Sequence, residues 1–333
     1  MLIYLQYLRG LAALAVVYFH ISLHYNELGL NGLQLPVFGK EGVDIFFVLS
    51  GFIICYIAQI RPKAPRAFMW DRIVRVVPLY WFYGALMTTM LILLPETVKS
   101  GQFDLAHIIS SFLFIPYSHP IFSEQYWPVV IPGWTLNYEM YFYFIFFCSL
   151  YLSKGLRLTF IVITIGSLVA LQLFFTMPYP LDFWGHPIVL EFLFGMLLAK
   201  IVIKYGVAIN IKLSLLFSVL ISLFMYVFLI SHNSLLISFS AALLVFWVIV
   251  INLKTKPFNA PVLKLMGDAS YSLYLSHIFV IGVVSAVCKK LPFEHAVNGF
   301  VFIILSLFLS IIIGVFSYKF IEKPIIRLLK SNN

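Results

Sequence analysis

The chain has 333 residues, 62% of them hydrophobic and only 11% charged. A soluble protein carries roughly 25% charged residues, so this balance excludes a soluble globular enzyme and, with a mean hydropathy of +1.01, indicates a polytopic membrane protein. The net charge of +9 superficially suits nucleic acid, but the cytoplasmic bias of Lys and Arg is the commoner cause in a membrane protein, and no nucleic-acid partner is expected.

Apolar runs of spanning length begin near Leu8, Gly42, Val77, Ile131, Leu156, Pro187, Leu213, Ser234, Ala269 and Val297. The expected fold is all-α, with ten transmembrane helices and both termini on one side. Placing the termini in the cytoplasm puts 18 of the 22 basic residues inside, the bias that orients inner-membrane proteins. The Lys289-Lys290 pair sits against it. The segment His107–Pro116 is apolar but too short to span, and is read as re-entrant or interfacial. The longest non-spanning stretch, Pro95–Val130, and the loop Met177–His186 are both rich in Pro and aromatics and face outward in this topology. Residues 1–333 read as one membrane domain with no separate soluble domain and no cleavable signal peptide. The absence of an internal repeat weakens a transporter reading. Cys55, Cys148 and Cys288 lie in apolar runs and form neither a disulfide framework nor a metal-ligand spacing, so no metal is expected.

The first run carries Arg9 at its start and His20 eleven positions later. Eleven helical steps return to within about 20° of the same face and cover about 16 Å. His20 is then an ionisable group deep in hydrocarbon, which is costly enough to make function the first hypothesis; a packed structural histidine is the bland one. The second run holds Asp44 near its outer end and Ser50-Gly51, which suits close helix packing better than a nucleophile. Arg72 and Arg75, three apart at the inner interface, share a helical face. They suit bidentate phosphate recognition, or equally ordinary positive-inside anchoring. Glu139 follows Trp134 in the fourth run, at a depth His20 can share. A carboxylate beside an imidazole fixes its tautomer and raises its basicity; a glutamate paired for packing is the alternative. The ninth run brings Tyr271 and a second intramembrane histidine, His277, for which structural and functional readings weigh equally. Pro324 is expected to end or kink the last helix.

Together these segments resemble the membrane-bound acyltransferase 3 family. The likeness rests on the Arg9-to-His20 spacing, Gly42-Val43-Asp44 through Ser50-Gly51-Phe52, Arg72 through Tyr80-Trp81, and Trp134-Thr135-Leu136 with Glu139. It continues through Ser270-Tyr271-Ser272-Leu273-Tyr274-Leu275 with His277 and ends on Glu322-Lys323-Pro324. It covers the whole chain in order, although Ser276 stands where a bulky aromatic often precedes the histidine and a second acidic residue after Glu139 is missing. The resemblance implies O-acylation of bacterial surface glycans from cytoplasmic acyl-CoA, with His20 the essential histidine, Arg9 its partner, and Arg72 and Arg75 on the donor side. Asp44, Ser50, Trp134, Tyr271 and His277 fall in the matched motifs as supporting or substrate-facing residues. The longer members' hydrolase-like extra domain is missing from this chain.

The resulting expectation is a bacterial inner-membrane O-acetyltransferase. Acetyl-CoA serves as co-substrate and a lipid-linked or growing surface glycan as acceptor, with membrane lipid as surroundings. His20, oriented by Glu139, removes the proton from a sugar hydroxyl; an acetyl-histidine relay is the rival route. A transporter of an acyl donor or lipid-linked sugar, and a scaffold of a glycan-assembly complex, are the alternative classes.

Overall fold

The structure is a computed structural model that describes residues 2–28, 34–98, 101–205, 234–256, 258–289 and 295–331. These are mostly helical, joined by short turns and by one long non-helical stretch, residues 113–130. The helices are α1 (Ile3–Leu28), α2 (Gly42–Ile60), α3 (Pro65–Leu93), α4 (Leu105–Phe112), α5 (Trp134–Ser149), α6 (Lys154–Phe174), α7 (Leu181–Trp184) and α8 (Leu190–Tyr205). They continue as α9 (Ser234–Lys254), α10 (Pro261–Asp268), α11 (Ser270–Cys288), α12 (His295–Ser317) and α13 (Lys323–Ser331).

Seven stretches among the described residues are long and apolar enough to cross a membrane: α1, α2, α3, α6, α9, α11, and the continuous Gly299–Ser331 that joins α12 to α13. Two other expected spans are shorter than the sequence suggests. Proline-containing turns occupy the starts of those apolar runs, Ile131–Gly133 before α5 and Pro187–Val189 before α8, leaving helices of 16 residues each. At about 1.5 Å per residue each covers about 24 Å, against a hydrocarbon core of about 30 Å. The run near Leu213 lies outside the described residues. α3 begins at Pro65, well before the expected Val77, because Pro at the first helical position starts it ahead of the apolar run. The short apolar segment at His107 forms the eight-residue α4, whose Asp104 cap accepts the His107 N–H.

The chain divides into two compact units. The first takes the chain up to Phe46 and again from Leu243 to Arg327. Its core is a stripe of Ala13, Val17, Ile21 and Tyr25 on α1, against Leu273, Val280, Ile281, Val284 and Cys288 on α11 and Phe302 on α12. The α1 stripe recurs every four residues and the α11 residues at offsets 0, 7, 8, 11 and 15 from Leu273, each set lying on one helical face. α10 abuts α1 so closely that a Cβ on Gly267 would lie 2.0 Å from the Gln6 carbonyl oxygen. Only a residue without a side chain fits that contact.

Pro324 does interrupt the last helix of this unit, though the chain stays helical. Residues Tyr318–Glu322 form a π-turn, and the Lys323 N–H bonds the Tyr318 carbonyl five residues back. The wider turn accommodates a proline that cannot donate to the carbonyl four residues earlier.

The second unit includes Phe47–Tyr205. Its α2 and α8 meet backbone to backbone: a Cβ on Gly51 would lie 2.1 Å from the Phe192 carbonyl oxygen. The packing role expected of Gly51 is thus observed. Aromatic rings fill the space around this contact, with Phe192 stacked on Phe142 at 4.4 Å and tilted against Phe47 at 4.7 Å.

Candidate active site

The first unit assembles a histidine seam. Arg9 and His20 share one face of α1, as their spacing dictates, and both face α11. Arg9 donates to Ser270 Oγ at 3.0 Å and reaches Gln6 Oε1 at 3.4 Å. Eleven residues further along, the His20 ring lies 4.9 Å from the ring of His277, centroid to centroid. His277 is fully buried, and His20 is half-buried. Neither ring nitrogen of His277 completes a hydrogen bond of ordinary geometry among the described residues. The Leu273 and Tyr274 carbonyls, one helical turn back, are the polar groups beside that ring. His24, one turn beyond His20 on the same face, also buries its Nδ1 without a partner among the described residues. A buried nitrogen lone pair or N–H left this way costs free energy, so the seam is a place where a substrate hydroxyl or carbonyl would be welcome.

The same helix α11 is fixed at its start. Ser272 Oγ donates to the buried Glu322 carboxylate at 2.6 Å, linking α11 to the π-turn. Tyr271 precedes that serine and is half-buried. Tyr274 lies 6.0 Å from the His277 ring and 6.2 Å from Phe46. Asp44 stands in the first turn of α2, where the helix N-terminus favours a carboxylate.

The second unit builds a carboxylate cluster. Glu139 Oε1 accepts from Ser50 Oγ on α2 at 3.0 Å and from the Tyr143 hydroxyl one turn along α5. Charged acceptors form the stronger class of hydrogen bond, so this carboxylate is held firmly. The Arg72 guanidinium lies over the Tyr143 ring and over Phe68, 5.9 Å from each centroid, and its Nε is buried without a partner among the described residues. Arg72 therefore reaches inward along α3 from the interface the sequence assigned to it. Arg75 follows one turn later and is half-buried. Trp134 opens α5 and meets Tyr138 edge to face at 5.9 Å.

A family model described as an acyltransferase domain matches residues 2–319. The chain belongs to the acyltransferase 3 family. It is 31% identical to the exopolysaccharide production protein ExoZ of Rhizobium meliloti (strain 1021), an alignment covering 87% of this chain and 90% of that protein. Proteins of Staphylococcus aureus strains COL and MSSA476, provisionally named O-acetyltransferases, are 28% identical over 95% of this chain. The alignment spans 56% of their length, so this chain corresponds to about half of those relatives. No solved structure matches the chain.

This acyltransferase thus gathers Arg9, His20, His277 and, through α11, Tyr271 in one unit, and Ser50, Arg72, Glu139 and Trp134 in the other. Three polar residues of these surroundings escaped the sequence reading. Tyr143 stands four residues after Glu139, a spacing that alone places it on the same helical face. His24 bears the same relation to His20. Glu191 is a fully buried carboxylate on α8 that accepts from Ser238 Oγ at 2.6 Å; an acidic residue inside an apolar run is itself a signal.

Proposed function

We propose that this membrane acyltransferase is an O-acetyltransferase of the bacterial inner membrane, acting on a hydroxyl of an exopolysaccharide or lipopolysaccharide glycan. The His20–His277 seam is the observation that carries the reading: a half-buried imidazole 4.9 Å from a second, fully buried one, in a chain of acyltransferase ancestry. In this reading the whole chain works as one ten-span domain with both termini in the cytoplasm, an arrangement supported by the distribution of its basic residues. The name of ExoZ supports a glycan acceptor.

Acetyl-CoA approaches from the cytoplasm, where Arg72 and Arg75 offer donors to its phosphates. The orphaned Arg72 Nε fits that task, since it is a buried donor awaiting an acceptor. His20 accepts the proton of the sugar hydroxyl as its oxygen attacks the thioester carbonyl carbon. Collapse of the tetrahedral intermediate breaks the C–S bond, and His20 returns the proton to the departing thiolate. Arg9 anchors the start of the His20 helix in this scheme, and Glu139 is held by Ser50 and Tyr143 within the second unit.

Two measurements test the reading. Mass analysis of surface glycan from cells with and without the gene should show acetyl groups only in its presence; unchanged acetylation removes the function. Reporter fusions at Asn333 and within Met177–His186 should give opposite signals, and matching signals remove the topology.

A further inference from the structure

In the proposed topology the outward stretches Pro95–Val130 and Met177–His186 face the same compartment, and in the second unit they join on one aromatic surface. The Tyr179 hydroxyl donates to the Pro116 carbonyl, and the Tyr126 hydroxyl donates to Asp182 Oδ2. The two tyrosine rings stack at 5.8 Å and 24°. Behind them Phe183 is buried, edge-on to Tyr126 at 5.7 Å and stacked on Tyr138 of α5 at 4.0 Å and 12°. Tyr138 immediately precedes Glu139, so the surface is braced by the helix that carries the candidate active-site carboxylate.

This surface has the two faces of a sugar-binding site. Tyr179 is 48% exposed, and its ring offers a negative π-face to polarised C–H groups. Asp182 uses one oxygen for Tyr126 and the other for the Phe183 N–H at 2.8 Å. A carboxylate has about four acceptor positions, so hydroxyl donors from outside still find room. The hydrogen bond to Asp182 pushes the Tyr126 phenol up to about 12, so the phenol stays protonated at neutral pH and keeps serving as a donor. Exposed tyrosines also anchor proteins at the lipid interface. The Asp182 oxygens beside the ring are acceptors, which suit the hydroxyl donors of a sugar and not a phospholipid phosphate, itself an acceptor.

We propose that Tyr179, Tyr126 and Asp182 form the acceptor subsite, where a neutral pyranose of the glycan stacks on Tyr179 and donates a hydroxyl to Asp182. The inference rests on the glycan-acceptor reading above. The subsite discriminates by charge: uronic acids are repelled by Asp182 and neutral sugars are retained.

The test uses the full chain in lipid nanodiscs, with de-O-acetylated oligosaccharide from the host's own surface polysaccharide as probe. Calorimetry reads oligosaccharide binding, and radiolabelled acetyl-CoA reads transfer. Tyr179→Ala should raise the acceptor KM and weaken oligosaccharide binding by about tenfold, with kcat and the acetyl-CoA KM changed much less. Tyr179→Trp, which keeps a ring face, should recover most of the loss. Asp182→Asn should narrow the preference for neutral over uronic-acid oligosaccharides, and this variant serves where Tyr179→Ala fails to fold. Tyr179→Ala with unchanged binding and unchanged acceptor KM overturns the subsite, as does a wild-type protein that binds no oligosaccharide. If that unchanged variant also associates less with lipid, the ring is an interface anchor and the subsite is equally overturned. Binding that depends on Tyr179 without any acetyl transfer leaves the subsite standing and removes only the acyltransfer to glycan.

Discussion

The histidine seam of the first unit and the Glu139 carboxylate of the second are buried polar groups held in different ways. Glu139 Oε1 is held by two hydroxyl donors, whereas both His277 nitrogens and His24 Nδ1 lack partners of ordinary geometry among the described residues. Buried polar atoms in native proteins are overwhelmingly paired, and those that are not call for a reason. A satisfied carboxylate behaves as scaffold, fixed in place and in charge. Two imidazoles side by side in a buried seam form a site that can take a polar ligand. The contrast assigns the chemistry to the seam and the positioning to the cluster, and substitutions on each side can break that assignment.

The largest expected effect is at His20. His20→Ala should cut acetyl transfer by on the order of 10³-fold or more, the scale of losing a general base, with normal protein level in the membrane. Incubation with acetyl-CoA alone then separates the routes. A covalent relay leaves acetyl on His20, detectable by mass spectrometry of the peptide, whereas direct attack leaves none and needs both substrates bound together. Near-wild-type transfer by His20→Ala would sink both routes and move the search to His277.

Next comes the donor side. Replacing Arg72 and Arg75 together by Ala should weaken acetyl-CoA binding by about 10- to 100-fold, as charge-assisted contacts of about 1.5–3 kcal/mol are lost. Lysine at both positions should restore only part, because a point charge lacks the planar guanidinium fork. Unchanged affinity in the purified double variant would leave the two arginines as topology anchors.

Much of this contrast was legible in the sequence. The shared face of Arg9 and His20 follows from eleven residues at helical pitch, and both do meet α11. The contact of His20 with His277 was not legible. The residues are distant in the chain, and no local rule says which helices neighbour each other. Hydropathy also misplaced three helix starts. At Ile131 and Pro187 an apolar run includes a proline turn that windowed hydropathy does not distinguish from helix. At Pro65 the reverse holds, since a polar first turn hides a helix already under way. The Ser50–Glu139 bond was missed for a simpler reason: the Ser50-Gly51 pair reads as a packing motif, and the glycine alone does that packing while the serine turns to the carboxylate.

Glu139→Gln should fall between the arginine pair and the stability variants below. The amide still accepts from Ser50 and Tyr143 but carries no charge, so acetyl transfer should drop to a low residual rate that stays above that of His20→Ala. Losing the charge of a supporting carboxylate costs less than losing the base itself, and this ordering is the content of the scaffold assignment. A Glu139→Gln variant as inactive as His20→Ala would place the carboxylate in the proton transfer itself.

The smallest effects are in stability, and they compare the two regions directly. Tyr143→Phe removes a hydroxyl that donates to a carboxylate, and such bonds contribute about 1.5–3 kcal/mol. Its thermal midpoint in detergent should therefore fall. His277→Leu exchanges an imidazole with no well-formed hydrogen bonds for an apolar side chain in a site lined by Leu273, Val280 and Ile281. Removing poorly paired polar groups from a buried site is close to neutral or stabilising, so the midpoint should stay at or above wild type while acetyl transfer falls. The two variants thus separate stability from activity in opposite directions. A His277→Leu protein that melts several degrees lower would mean that the ring is well satisfied after all. The seam would then be ordinary packing, and the difference between the two regions would vanish.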